Sequence, residues 1–98
     1  MRPSLRIRPA AAADIEDAYK WYETRRPGLG GEFLQAVSSV LEAISQQPER
    51  FPVIYRDLRR ALLRRFPYGI FFKLESGRLM VVACFHAKRD PQEWRSRH

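Results

Sequence analysis

Several groups of side chains in this sequence have types and spacing suited to chemistry. Arg59, Arg60, Arg64 and Arg65 crowd into seven positions, and Lys88, Arg89, Arg95 and Arg97 follow near the end. Such cations grip phosphates or an acidic partner, or they stay solvated and protect a strand edge. Strand alternation would send neighbouring arginines to opposite faces, so at most about half of the first cluster can share a patch. In the second cluster, Asp90 can instead pair with Arg89 or Lys88 and fix a turn ahead of Pro91. His86 is suited to general acid or base work near neutral pH, yet no second histidine or carboxylate stands at dyad spacing, which leaves a hydrogen-bonded structural role open. The carboxylates Asp14, Glu16, Asp17 and Glu23 suggest a paired-acid site, but helix-dipole complementarity and a Glu16 to Lys20 pair account for them. Gly28, Gly30 and Gly31 do not form a phosphate loop, because no Lys-Ser/Thr follows them.

Composition narrows the classes. In 98 residues there are 45% hydrophobic and 30% charged side chains, the range of one small globular domain spanning residues 1–98. The formal charge is +7 and is unevenly placed. Residues 1–50 carry 7 basic and 7 acidic side chains, whereas residues 51–98 carry 11 basic and 4 acidic ones. The second half is therefore the half expected to meet an anionic partner. The single cysteine, Cys84, cannot form an internal disulfide and is expected to be a small core residue. With only His86 and His98 beside it, no zinc pattern arises, so neither metal nor cofactor is expected and a reducing compartment is. No apolar run approaches the roughly 18 residues of a membrane span, and the basic start MRPSLRIRP lacks the apolar segment of a secretory signal. A soluble cytoplasmic protein without membrane contact is expected.

The elements that must position these groups follow from periodicity. Leu5 to Arg8 reads as a marginal or edge strand that stops at Pro9. From Ala11 to Arg26, Ile15, Ala18, Tyr19 and Tyr22 recur at helical spacing, leaving Trp21 off the stripe as an exposed contact or a helix-flank residue. After the Pro27 to Gly31 punctuation, Phe33, Ala36, Val37, Val40, Leu41 and Ile44 form the apolar stripe of a second helix ending before Gln47. A short Gly/Pro link between two such helices predicts an antiparallel hairpin. Ala61 to Phe66, Gly69 to Glu75 and Arg78 to Phe85 then read as a meander of three strands. In the last of these Leu79, Val81, Ala83 and Phe85 are apolar on one side and Met80, Val82 and Cys84 on the other. Two helices cover only one face of a sheet, so the C-terminal tail or another chain must cover the second. The more favoured role for Trp94 is to anchor the tail there by burying its ring. The expected fold is α+β, β-α-α-β-β-β, with a helical hairpin on one face of a mostly antiparallel sheet and a short basic tail.

The strings DIEDAYKWYE, PGLGGEF, QQPERFP, RRALLRRFPYGIFF and VVACFHAKRDPQEW, in this order between residues 14 and 94, resemble the RelE/ParE toxins of bacterial type II toxin–antitoxin systems. The resemblance implies a cytoplasmic toxin neutralised by a cognate antitoxin whose C-terminal segment wraps it. It also implies one of two activities. RelE-type members cut messenger RNA on the ribosome, and ParE-type members act on DNA gyrase. For the nuclease reading, His86 would be the acid or base, with Arg60 and Arg65 holding the phosphate. Nuclease members often place an arginine just after the position of Tyr68, where this chain has Gly69, and a tyrosine or histidine near the C-terminus. The string HAKRDPQEW is closer to the ParE-like branch, so a growth-inhibiting toxin acting on gyrase is the leading expectation. Arg60, Arg64, Arg65, Lys88 and Arg89 would supply charge for target or antitoxin, and Met80, Val82 and Trp94 apolar contact. The assembly is open between a homodimer and a toxin–antitoxin hetero-oligomer, and a non-toxic binding module of the same fold is the remaining alternative.

Overall fold

The computed structural model describes residues 4–98; residues 1–3, where the basic N-terminal segment begins, lie outside the described residues. Strand β1 (Ser4–Ile7) leads into helix α1 (Pro9–Arg25) and helix α2 (Leu29–Gln46). A single 3-10 turn, Pro48–Arg50, precedes the strands β2 (Val53–Tyr55), β3 (Leu58–Leu62), β4 (Tyr68–Glu75) and β5 (Arg78–His86), and helix α3 (Pro91–Arg95) closes the chain. The five strands run in the order β1-β5-β4-β3-β2, with only β1 parallel to its neighbour. The architecture is α+β, with the hairpin on one sheet face, as the periodicity predicts.

Pro9 does not end the strand region with a loop; it opens α1 as its first helical residue. Its fixed φ suits the first turn, and its missing N–H is a group the helix would leave unpaired there anyway. Gly28, at φ 90°, is the N-cap of α2, and the Glu23 carboxylate accepts the Gly28 N–H at 3.0 Å and the Gly30 N–H at 2.9 Å. Glu23 thus caps α2 rather than complementing the dipole of α1. At Gly30 a Cβ would lie 2.7 Å from the Tyr19 ring, so the hairpin closes only with glycine there.

The first strand of the expected meander is displaced. It spans Leu58–Leu62 instead of Ala61 to Phe66, and β2, unforeseen in the sequence, pairs with it at the sheet edge. Leu63 and Phe66, whose apolar character suggested strand, are buried from the β3–β4 loop instead. Leu63 N–H donates to the Tyr68 carbonyl at 2.9 Å, and Arg65 adopts φ 71° as the loop turns. Arg64 and Arg65 are therefore loop residues, and strand alternation does not govern them.

The facing of β5 also differs from simple alternation. Phe71 pairs with Ala83 and Phe72 with Val81, so Val82 is an extra residue, a β-bulge. Past it the parity inverts. Leu79, Val81 and Cys84 join the helix-side core, while Val82, Ala83 and Phe85 belong to a second cluster with Leu58, Phe71 and Trp94 on the opposite face. The tail covers that face, the first of the two alternative covers, tail or another chain, that the sequence leaves open. Trp94 stacks on Phe71 with ring centroids 5.1 Å apart and planes at 22°, and is only 8% exposed. Asp90 caps α3 by accepting the Gln92 N–H at 3.0 Å, so it does not pair with Lys88 or Arg89; Arg89 binds Glu93 at 2.9 Å.

Candidate functional site

Two clefts and one sheet face hold the candidate residues. The first cleft, of about 500 Å³, lies between α2 and the β3–β4 loop. Ala36, Val40, Ala43 and Phe51 give it an apolar lining, and Arg50, Arg64 and Arg65 bring positive charge. Glu32 at its edge accepts from Arg65 Nη2 at 2.6 Å and from Arg26 Nη2 at 3.2 Å. Hydrogen bonds from Arg65 and then Arg26 hold the Glu32 carboxyl below its ordinary pKa. Arg64 has no such partner among the described residues and is exposed. The sequence signalled Arg64 and Arg65, but Glu32 joins them only because α2 packs beside the loop, and Arg50 because the 3-10 turn after α2 lines the same cleft.

The second cleft, of about 530 Å³, opens between α1 and the ends of β4 and β5. Helix α1 presents Asp14, Asp17, Ala18, Trp21 and Tyr22 to it at the i, i+3, i+4, i+7, i+8 spacing of one helical face. The sheet contributes Tyr68, Cys84 and His86, and Arg89 lies beyond the strand. His86 reaches this cleft because of the bulge; unbroken alternation from Val81 would have turned it to the opposite face. Its Nδ1 accepts the Lys88 N–H at 3.0 Å, which leaves Nε2 as the donor of the neutral ring. The ring stands edge-on to Tyr68 at 5.3 Å. Burial raises the pKa of Tyr22, with further contributions from Tyr68 and Cys84. Burial followed by Cys84 raises that of Tyr68, against a smaller opposing pull from Arg89. The Cys84 thiol is pushed up to about 12 by burial and then by Asp14, so it is a protonated core group and not a nucleophile.

Arg60 stands apart from both clefts. It pairs with Phe71 on the face away from α1 and α2, where its Cγ and Cδ would lie 3.2 Å from a Cβ at Gly69. Arg59 holds the backbone carbonyls of Phe51 at 2.6 Å and Glu49 at 3.3 Å, a structural task. The trio Arg60, Arg65 and His86 therefore does not converge: His86 lines one cleft, Arg65 the other, and Arg60 the opposite face. Val82 is 1% exposed and Trp94 is buried on Phe71, so neither offers contact area while the tail is seated, whereas Met80 is half-buried. Lys88 is exposed beside His86, and Arg89 reaches from the cleft to the Phe85 ring at 4.5 Å. Among the described residues no group of three or more His, Cys, Asp or Glu side chains could hold a metal ion, and no helix is long and apolar enough to cross a membrane.

Comparison with known proteins agrees with this geometry. The chain superposes on a protein of the chromosomal ParDE toxin–antitoxin system from P. aeruginosa with a TM-score of 0.78, at 19% identity, covering 87% of this chain and 96% of that one. A chain of the toxin–antitoxin complex RelBE2 from Mycobacterium tuberculosis aligns with a TM-score of 0.60 and 15% identity, over 88% of this chain and 99% of that one. Both similarities concern the fold. Among curated proteins no sequence matches. The family model described as "ParE toxin of type II toxin-antitoxin system, parDE" matches residues 5–91, nearly the whole length, and the chain belongs to this ParE toxin family.

Proposed function

We propose that this type II toxin is neutralised in the cytoplasm by an acidic antitoxin segment and inhibits growth by acting on DNA gyrase, without cutting nucleic acid itself. The family match over residues 5–91 carries this reading. The scatter of Arg60, Arg65 and His86 supports its non-hydrolytic form, because an acid–base residue and the cations that hold a scissile phosphate must act on the same atoms. Gly69 adds no cation after Tyr68. An antitoxin partner is supported by the two structural neighbours, each from a toxin–antitoxin system, and by the arginine-bearing cleft along α2, whose charge and apolar lining suit an acidic segment with apolar anchors.

Purified protein added to a gyrase supercoiling assay and, separately, to a translating extract tests the proposal. Inhibited supercoiling with intact message is the expected pair of results. Message cleaved in codon register, with supercoiling unaffected, would overturn the gyrase reading in favour of a ribosome-dependent nuclease.

A further inference from the structure

The cleft between α1 and the ends of β4 and β5 has features that the toxin reading does not use. Its volume of about 530 Å³ lies within the range of small-molecule sites, and rings from Trp21, Tyr22, Tyr68 and His86 line it. Three of its polar groups are unengaged. The Tyr22 and Tyr68 hydroxyls have no hydrogen-bond partner among the described residues, and His86 uses only Nδ1, leaving Nε2–H. Arg89, whose Nη1 donates to Glu93 at 2.9 Å, brings the rest of its guanidinium to the same wall. This side of the cleft is therefore a set of donors suited to an oxyanion.

The opposite side is suited to a flat ring. Trp21 is 50% exposed at the edge of the cleft, and the Arg25 guanidinium lies over one face of its ring, 4.2 Å from the centroid, so the opposite face is the one a base would stack on. An exposed indole next to arginine is the arrangement on which nucleobases stack. The carboxylates do not make the cleft a cation site, since the charge of Asp14 is taken by Arg97 at 2.5 Å. Asp17 remains, an acceptor without an ion pair among the described residues, placed to take an exocyclic amine.

We propose that this cleft binds a mononucleotide unit, its base stacked on Trp21 and its phosphate held by Tyr68, His86 and Arg89. The site is independent of the gyrase proposal, because it needs neither an antitoxin nor a target protein. The same chemistry is offered by a free nucleoside monophosphate and by an unpaired nucleotide of a single strand.

Intrinsic fluorescence tests the proposal directly. The chain has 2 tryptophans, and Trp94 is buried on Phe71, so a ligand stacking on Trp21 is read against a constant background. The full chain is titrated with AMP, GMP and a short single-stranded oligonucleotide. Saturable quenching is expected with at least one of them. A stronger response to the mononucleotides identifies a free nucleotide as the ligand, and tighter oligonucleotide binding identifies the single strand. Tyr68→Phe keeps the ring and should weaken binding about fivefold, the loss of one hydrogen bond. His86→Ala should weaken it about tenfold, the effect of a hydrogen bond to a charged group. Trp21→Ala should lower affinity by tenfold or more, measured by calorimetry. No saturable binding by millimolar concentrations overturns the proposal. So does oligonucleotide binding that Tyr68→Phe and His86→Ala leave unchanged, which would locate the contact on surface arginines instead.

Discussion

Asp14 and Arg97, 83 positions apart, meet at the edge of β5 where β1 runs out. The last β1 pair is Ile7 with Val81, and Arg8 N–H donates to the Val81 carbonyl at 3.0 Å; beyond that point β5 has no strand on this side. Asp14 Oδ2 then accepts the Cys84 N–H at 3.0 Å, and Arg97 Nη1 donates to the Val82 carbonyl at 3.2 Å and to Asp14 Oδ2 at 2.5 Å. Two side chains thus continue the ladder that the short strand cannot, and they tie α1, the bulge and the tail together. Buried backbone groups need such partners.

Asp14→Ala removes the acceptor of both the Cys84 N–H and the Arg97 guanidinium, and should cost about 2 kcal/mol in urea denaturation, the penalty for stranding donors in a largely buried place. Arg97→Ala should cost less, about 1 kcal/mol, because the Asp14 carboxylate keeps the Cys84 N–H. A double-mutant cycle should give a coupling of about 1 kcal/mol, whereas strict additivity would show that the pair does not act as a unit.

Trp94→Ala uncovers Phe71, Val82 and Phe85, and should destabilise the fold by about 3–5 kcal/mol, the usual loss for a large buried ring. Binding of a hydrophobic dye to the native state should rise as the second cluster is exposed. Trp94→Phe, which retains a ring for stacking, should recover most of the stability. An unchanged unfolding midpoint for Trp94→Ala would mean that the tail does not hold the sheet.

Burial, and then Asp14, pushes the Cys84 thiol up to about 12 from its ordinary value near 9.0, so the folded state keeps a proton that the unfolded state releases. The sign follows: this contribution is fully present below about pH 9 and is lost as pH rises towards about 12. Stability should therefore fall by up to about 1.4 kcal/mol per pH unit in that window, and Cys84→Ala should flatten the alkaline limb. At pH 8 the native thiol should resist a disulfide reagent and react at the unfolding rate. Rapid labelling of native protein would contradict its burial.

Arg64→Ala together with Arg65→Ala should abolish growth inhibition while the protein stays folded, since these residues lie on an exposed loop and exposed ion pairs contribute little stability. The unfolding midpoint of the double variant should barely move. Full toxicity in such a well-folded variant would remove the arginine loop from the functional surface.

Helices α1 and α2, the strands β4 and β5 and the need for a second cover were legible in the sequence because they rest on local rules, whereas α3 was expected only as a tail. A 3.6-residue stripe marks α2, and Ser76-Gly77, both at positive φ, makes the two-residue turn that joins β4 to β5. An apolar β5 demands burial on both faces, and Trp94 was the residue large enough to meet it. Which residues share a site depended on contacts distant in sequence. The bulge at Val82 exists only in the pairing of β5 with β4, yet it decides that His86 and Cys84 face α1 while Phe85 faces Trp94. Arg64 and Arg65 have the sequence pattern of strand residues, and only the burial of Leu63 and Phe66 from a loop takes them out of the sheet. Asp14 read as a helix-dipole acid because nothing nearby in the sequence shows that β1 stops short of Cys84. A period of two predicts facing only while every residue has a partner opposite it; one extra residue reverses all that follows, and only the assembled sheet decides where that residue lies.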